Sequence, residues 1–188
     1  MFDGGCHWET EAAARAFDVF TYKQGRKATD PPRASSGRVY TLAIQEWDEA
    51  IDRTAAVTLL LKVLANRSAL VAPLLQGIWD DINGRGPDSG MWWHGDLSFP
   101  VGDTTGLKRS VVAQCVEDDG FSLACPEDFL KVMGFKRIVA RHVHGHDGLL
   151  AELDFDSAFE MEHGIGILTD GEHILGTGYE FDVDLFER

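Results

Sequence analysis

Three histidines at alternate positions are the residues whose spacing most suggests chemistry. His142, His144 and His146 are separated by single residues. On a β-strand such positions point to one face, so three imidazoles could converge on a divalent metal. Asp147, Glu162 and His163 are candidates for a further ligand. The alternative, which we favour, is a polar strand edge that runs into a turn and needs no cofactor.

A second candidate group combines carboxylates with an imidazole. Glu160, Glu162 and His163 lie within four residues of one another. A carboxylate beside an imidazole can fix its tautomer and raise its pKa, which suits acid–base chemistry. However, the neighbouring sequence offers no nucleophile and no G-x-S-x-G elbow. We therefore favour a structural and binding role, in which Glu162 and His163 hydrogen-bond to backbone and Gly164 adopts a conformation that other residues avoid.

A pair of tryptophans is the third feature with a possible function. Trp92 and Trp93 lie in the glycine-rich stretch 83–96, which reads as a loop. Adjacent tryptophans on a loop either cover the core or form part of a binding surface. The candidate binding residues are thus Glu160, Glu162, His163, Gly164, Trp92 and Trp93, and no catalytic residue is assigned.

The charge of the chain restricts its partners. The formal net charge is −14 at pH 7, and from Leu149 onward eleven acidic residues face the single base Arg188. An acidic surface repels nucleic acid phosphates and anionic lipid, which disfavours both as partners and favours a basic protein. The segment 24–37 is instead basic and rich in Pro, Ser and Gly, which predicts a mobile loop.

Length and cysteine content predict one cytoplasmic domain. A chain of 188 residues fits a single domain spanning 1–188. Its three cysteines are an odd and sparse count, which is typical of reduced thiols in a cytoplasm. The N-terminus lacks the apolar region of a secretory signal, and no apolar run approaches the roughly 20 residues of a membrane span.

The hydrophobic pattern places helices between two sets of strands. Alternation predicts a first strand at 17–22 that pairs with a second at 38–44. Helical spacing then predicts two helices with a break at Asn66. The first runs from Asp48 to Ala65, and the second runs to Ile82 from Ser68 or, alternatively, from Pro73. Further elements are a strand at 107–116 and a short helix that begins near Pro126.

The C-terminal third reads as strands alone. Long strands at 135–144 and 149–155 precede a hairpin that turns at Asp170-Gly171, a strong hairpin signal. Segregated strands and helices favour an α+β fold. We predict an antiparallel sheet with a C-terminal β-meander, covered on one face by a helical pair.

The end of the chain resembles a family of bacterial domains of unknown function. The residues that carry the resemblance are Phe159-Glu160-Met161-Glu162-His163-Gly164-Ile165-Gly166-Ile167, followed by Ile174-Leu175-Gly176. The family motif is W-D-x-E-H-G-x-G, from which Phe159 and Glu160 depart. Members look similar to small acidic immunity-type proteins that neutralise toxins. The resemblance therefore implies a non-catalytic interaction module with a basic protein partner; the alternative is a metal-binding protein or metal-dependent hydrolase that uses His142, His144 and His146.

Overall fold

Seven strands form one sheet in the computed structural model, which describes residues 6–32, 34, 38–46, 50–83 and 107–186. The strands are β1 (Cys6–Ala12), β2 (Tyr40–Gln45), β3 (Met133–His142), β4 (Leu149–Ser157), β5 (Ile165–Thr169), β6 (Ile174–Tyr179) and β7 (Asp182–Leu185). They lie side by side in chain order, and only β2 and β3 are parallel. A parallel pair needs a long crossover, and this one contains the helices. The fold is mixed α+β.

One long helix replaces the predicted helical pair. The helix α1 spans Arg53–Ile82, and the crossover also contains α2 (Leu107–Glu117) and α3 (Phe129–Val132). Asp52 caps the start of α1, because its side chain accepts hydrogen bonds from the backbone N–H groups of Thr54 (2.8 Å) and Ala55 (3.3 Å). The capping residue therefore lies four positions later than the predicted start at Asp48.

The predicted break at Asn66 is wrong, for reasons that lie outside the helix. The Asn66 side-chain amide donates a 2.8 Å hydrogen bond to the carbonyl oxygen of Gly171, in the β5–β6 turn. Asn66 therefore fixes α1 to the sheet instead of ending the helix. Pro73 also lies inside α1 and is exposed. Proline has no backbone N–H, so one carbonyl in the preceding turn of the helix lacks its hydrogen-bond donor. On the exposed face of α1, water can donate a hydrogen bond to that carbonyl.

Two predicted strands are helical in the structure. The segment Arg15–Val19 forms a 3-10 turn, which places Phe17 and Phe20 in the core. That spacing of three residues fits the 3-10 period better than strand alternation does. The second segment is α2, where Val112 and Val116 are buried four residues apart. In both segments packing against the core selected the helical period, and the first strand is β1.

The main core lies between one face of the sheet and α1. Its centre is aromatic, with ring-centroid distances of 4.4 Å between Phe17 and Phe135 and 5.3 Å between Phe135 and Phe155. A buried hydrogen bond of 3.0 Å from Thr177 Oγ1 to Asp81 Oδ2 joins α1 to β6. This polar contact fixes the position of the helix on a face that is otherwise apolar.

The opposite face of the sheet is mostly polar and carries a small second cluster. The buried members of that cluster are Val143, Leu150, Leu168 and Val183. Next to them on the same strands lie the buried charged residues Arg141, Glu152 and Asp154. This polar face continues to the ends of β4 and β6, where the candidate site is found.

By length and composition alone, α1 could also cross a membrane. It is the one helix of this kind among the described residues. Such a match is weak evidence, because the core helix of a soluble protein passes the same test. The residues of α1 that face the sheet, among them Leu60, Val63, Leu70, Leu74 and Ile78, are fully or almost fully buried in the main core.

Candidate binding pocket

A pocket of about 280 Å³ opens where β4 ends and the following turn begins. Carboxylates dominate its lining, with Asp156, Glu160, Glu162 and Glu180 contributing four acidic groups. Lys136 and His163 are also part of the wall. Four segments that are far apart in sequence form this pocket: Gln24, the start of β3, the end of β4 with the following turn, and the end of β6.

Glu160 organises the turn that forms one side of the pocket. Its Oε1 atom accepts hydrogen bonds from the backbone N–H groups of Glu162 (3.2 Å) and His163 (3.1 Å). Ser157 closes the same turn, since its hydroxyl accepts from the Glu160 N–H at 2.8 Å and donates to the Glu160 carbonyl at 3.2 Å. The predicted link to backbone is therefore made by Glu160, and the Glu162 side chain remains exposed.

His163 joins this turn to β6. Its Nδ1 atom lies 3.0 Å from Glu160 Oε1, and its ring packs on Tyr179 with 4.8 Å between centroids. The His163 side chain is 52% exposed, so one edge of the imidazole faces solvent. The residues that the sequence placed together, Glu160 and His163, are in contact, and a ligand can reach them from outside.

Gly164 is required by the backbone at this position. It has a φ of +71°, which L side chains rarely adopt. A Cβ atom there would lie 2.8 Å from Glu180 Oε2 and 3.0 Å from the carbonyl oxygen of Phe155. The predicted special conformation is confirmed, and the space that the glycine leaves is filled by a carboxylate of the pocket.

Glu180 is held by two basic side chains. Lys136 Nζ donates to Glu180 Oε2 at 2.6 Å, and Arg137 Nη2 donates to Glu180 Oε1. Arg137 also donates from Nε to Asp154 Oδ2 at 2.6 Å, and its guanidinium lies 4.7 Å from the centroid of the Phe181 ring. Glu180 therefore has a fixed position, while Glu162 at the mouth of the pocket is exposed.

Buried acids lie behind the pocket wall. Burial raises the pKa of Asp154 well above its usual value, and the nearby carboxylates Glu152 and Glu180 raise it further. Burial also raises the pKa of Glu152, although Arg141 and the N–H of Phe181 oppose that effect. Asp154 Oδ1 has no hydrogen-bond partner among the described residues. Burial thus disfavours the charged forms of these two acids, which are also paired with Arg137 and Arg141. The negative charge of the pocket therefore comes from the carboxylates that line it.

Strand glycines make room for these acids. A Cβ atom on Gly166 would lie 2.4 Å from Glu152 Oε1 and 2.5 Å from Val183 Cγ2. A Cβ atom on Gly178 would lie 2.9 Å from the carbonyl oxygen of Asp182. These strand glycines therefore mark a place of close packing, because β7 folds closely against them.

The histidine triplet is spread over the end of a strand and a turn. β3 ends at His142, so His144 and His146 follow it in the turn before β4. The alternation that would direct three imidazoles to one face therefore does not continue. In the described part of the chain, no three His, Cys, Asp or Glu side chains are grouped in a way that could hold a metal ion.

His146 instead borders a second and wider cleft. This cleft has a volume of about 700 Å³ and is lined by His146, Asp147, Ile174, Leu175, Leu185 and Phe186 together with Gly145. The cleft lies at the other end of the sheet from the acidic pocket, because β6 begins at Ile174 and ends at Tyr179. His163 and His146 thus belong to different cavities.

Several pocket residues were not predicted from the sequence. Lys136, Asp156 and Ser157 join the site because β3 and β4 pair with a bulge between Phe135 and Arg137. That register is a tertiary property, and the only signal in the sequence was the acidic character of the C-terminal third. Trp92 and Trp93 lie outside the described residues.

Comparison with known proteins found no relative of this chain. No protein-family model, curated protein or solved structure matches the chain. The resemblance to the W-D-x-E-H-G-x-G domains therefore stays a prediction.

Proposed function

We propose that this protein is a non-catalytic, acidic interaction module that binds a basic protein, in the manner of a toxin-immunity protein of the bacterial cytoplasm. The observation that supports the proposal best is the pocket itself, in which four carboxylates surround one lysine. Lys136 is already paired with Glu180 at 2.6 Å. Glu160, Glu162 and Asp156 leave the pocket with an excess of negative charge.

The size and charge of the pocket fit a basic side chain of the partner. A volume of about 280 Å³ is large enough for the whole side chain of an arginine or lysine. A guanidinium would bridge two carboxylates through paired hydrogen bonds, which are stronger than neutral ones. The net charge of −14 would speed the encounter with a basic surface, while the pocket would select the residue that enters.

Binding of a basic peptide tests this proposal. The probe is a fluorescent arginine-rich peptide, with a glutamate-rich peptide of equal length as the negative probe, and affinity is measured by anisotropy at two salt concentrations. We expect Glu162→Lys to weaken binding of the arginine-rich peptide about tenfold, because it places a positive charge at the mouth of the pocket. Added salt should weaken the binding of the parent protein as well.

A matched variant separates the pocket from the overall charge. Glu117 is an exposed acid at the end of α2 and does not line the pocket. Glu117→Lys changes the net charge by the same amount, so we expect it to change the affinity less than about twofold. Equal losses in the two variants would show that overall charge alone attracts the peptide, and the proposed pocket would then be rejected.

A further inference from the structure

The wide cleft beside the β3–β4 turn has the size and the lining of a small-molecule site. Its volume is about 700 Å³, which lies within the range of roughly 300–1,000 Å³ that is typical of ligand pockets. β6 begins and β7 ends at this cleft, and the turn after β3 forms another part of its wall. Among the described residues, none lines both the cleft and the acidic pocket. The cleft therefore has no part in the interaction proposed above.

Four half-buried apolar side chains form the first part of the wall. Ile174 and Phe186 both adjoin Gly77 of α1, where an added Cβ atom would lie 3.5 Å from each of these two side chains. Leu175 and Leu185 pack against the small second cluster. The N–H of Phe186 also donates to the carbonyl oxygen of Leu175 at 2.7 Å. This part of the wall is therefore held in place before a ligand binds, and an apolar group that covers it would remove its exposed area from water.

The second part of the wall is a tight turn that carries two polar side chains. The N–H of His146 donates to the carbonyl oxygen of Val143 at 3.2 Å, and Gly145 between them has a φ of +79°, which fixes the backbone of this turn. Asp147 follows and is exposed. The buried Nδ1 atom of His146 has no hydrogen-bond partner among the described residues. Because buried polar atoms in folded proteins nearly always have such a partner, a polar group bound in the cleft would complete the site.

We propose that the cleft binds a small apolar molecule that carries a primary amine at one end. A protonated amine has three N–H donors and no acceptor, so it can donate both to the Asp147 carboxylate and to an imidazole nitrogen of His146. The apolar body of the ligand would cover the half-buried side chains of Leu185 and Phe186. The net charge of −14 attracts such a cation and repels amphiphiles that end in a carboxylate. The combination of lining and charge thus favours an amine over an alcohol or an acid.

Three probes with the same apolar body test the class of ligand. Phenylbutylamine, phenylbutanol and phenylbutanoate differ only in the end group, and methyl NMR of the untagged full chain gives both the affinity and the location of binding. We expect the amine to bind at least about threefold more tightly than the alcohol, and the carboxylate to bind most weakly. The largest shifts should occur at the methyl groups of Ile174, Leu175 and Leu185, and not at Met161 of the acidic pocket.

Single substitutions separate the roles of the two polar side chains. Asp147→Asn should weaken binding of the amine about threefold and leave the affinity for the alcohol unchanged, because only the amine is charged. His146→Phe keeps an aromatic ring without its nitrogens, so it should weaken both the amine and the alcohol. The matched control is Asp118→Asn, because Asp118 is an exposed acid that does not line the cleft; this variant changes the net charge equally and should bind all three probes as the parent does. Thermal unfolding by circular dichroism checks that each variant folds.

Three outcomes would overturn the inference. The first is a parent protein that shows no saturable binding of the amine up to about 10 mM. The second is equal affinity for the three probes that Asp147→Asn does not change, which would reduce the cleft to an unselective apolar surface. The third is an amine whose largest shifts occur at Met161, which would assign its binding to the acidic pocket.

Discussion

Replacement of Gly164 by alanine tests whether the structure of the pocket turn is correct. Gly164 has a φ of +71° and adjoins two atoms that cannot easily move. One is the carbonyl oxygen of Phe155, a backbone atom of β4, at 3.0 Å from the position of an added Cβ. The other is Glu180 Oε2 at 2.8 Å, which Lys136 and Arg137 hold in place. Gly164→Ala should therefore both strain the backbone and displace Glu180.

The loss of unfolding free energy expected for Gly164→Ala is the sum of the backbone strain and the displacement of Glu180. A non-glycine residue in the left-handed region costs about 1–2 kcal/mol. Insertion of a methyl group into a tightly packed site costs a further 1–3 kcal/mol, roughly. We expect Gly164→Ala to lower the free energy of unfolding by about 2–5 kcal/mol. In a chain of this length each kcal/mol corresponds to about 2–4 °C in Tm.

Gly145→Ala is the matched control, because Gly145 has a φ of +79° and no atom lies within 4 Å of the added Cβ position. Gly145→Ala has the backbone strain but no close contact of the added Cβ atom, so its free energy of unfolding should fall by only about 1–2 kcal/mol. Chemical unfolding followed by fluorescence gives both values, and peptide binding shows whether Glu180 still forms the pocket. Equal destabilisation by the two variants would refute the predicted contact with Glu180 and Phe155.

Two further predictions concern the buried acids and the histidines. Because the pKa of Asp154 is raised, its contribution to stability is complete below its unfolded pKa of about 4 and is lost as the pH rises through the folded pKa. Asp154→Asn should therefore gain in unfolding free energy relative to the parent as the pH rises above about 4. We also expect mass spectrometry of untagged protein to find no stoichiometric zinc, manganese or iron; metal that is lost in His142→Ala and His144→Ala would favour the metal-binding alternative.

The sequence alone determined the features that depend on local chemistry. Asp170-Gly171 turns between two apolar runs, and β5 and β6 flank it in the structure. Gly164 and Gly166 follow an acidic turn, and both are needed for reasons of backbone space. The contact between Glu160 and His163 was also predictable, because three residues separate them and a turn brings such neighbours together. The two turns depend on interactions within a few residues. The close packing around Gly164 and Gly166 instead involves Glu180 and Val183, which are distant in sequence.

Long-range contacts decided where the local signals were ambiguous. Asn66 often ends helices, yet here its amide bonds to Gly171, which lies far away in sequence. The apolar pattern of Arg15–Val19 and of Leu107–Glu117 fits two periods, and packing against the core selected the helical one. Such outcomes depend on partners that the segment itself does not contain.

The acidic pocket is likewise a product of the tertiary structure. The sequence showed an acidic C-terminal third but not which acids lie together. The register between β3 and β4 brings Lys136 beside Asp156 and Glu180, because Cα positions that face each other across strands are set by the whole sheet. The sequence therefore determined the local turns, and the tertiary structure decided which surfaces are available to a partner.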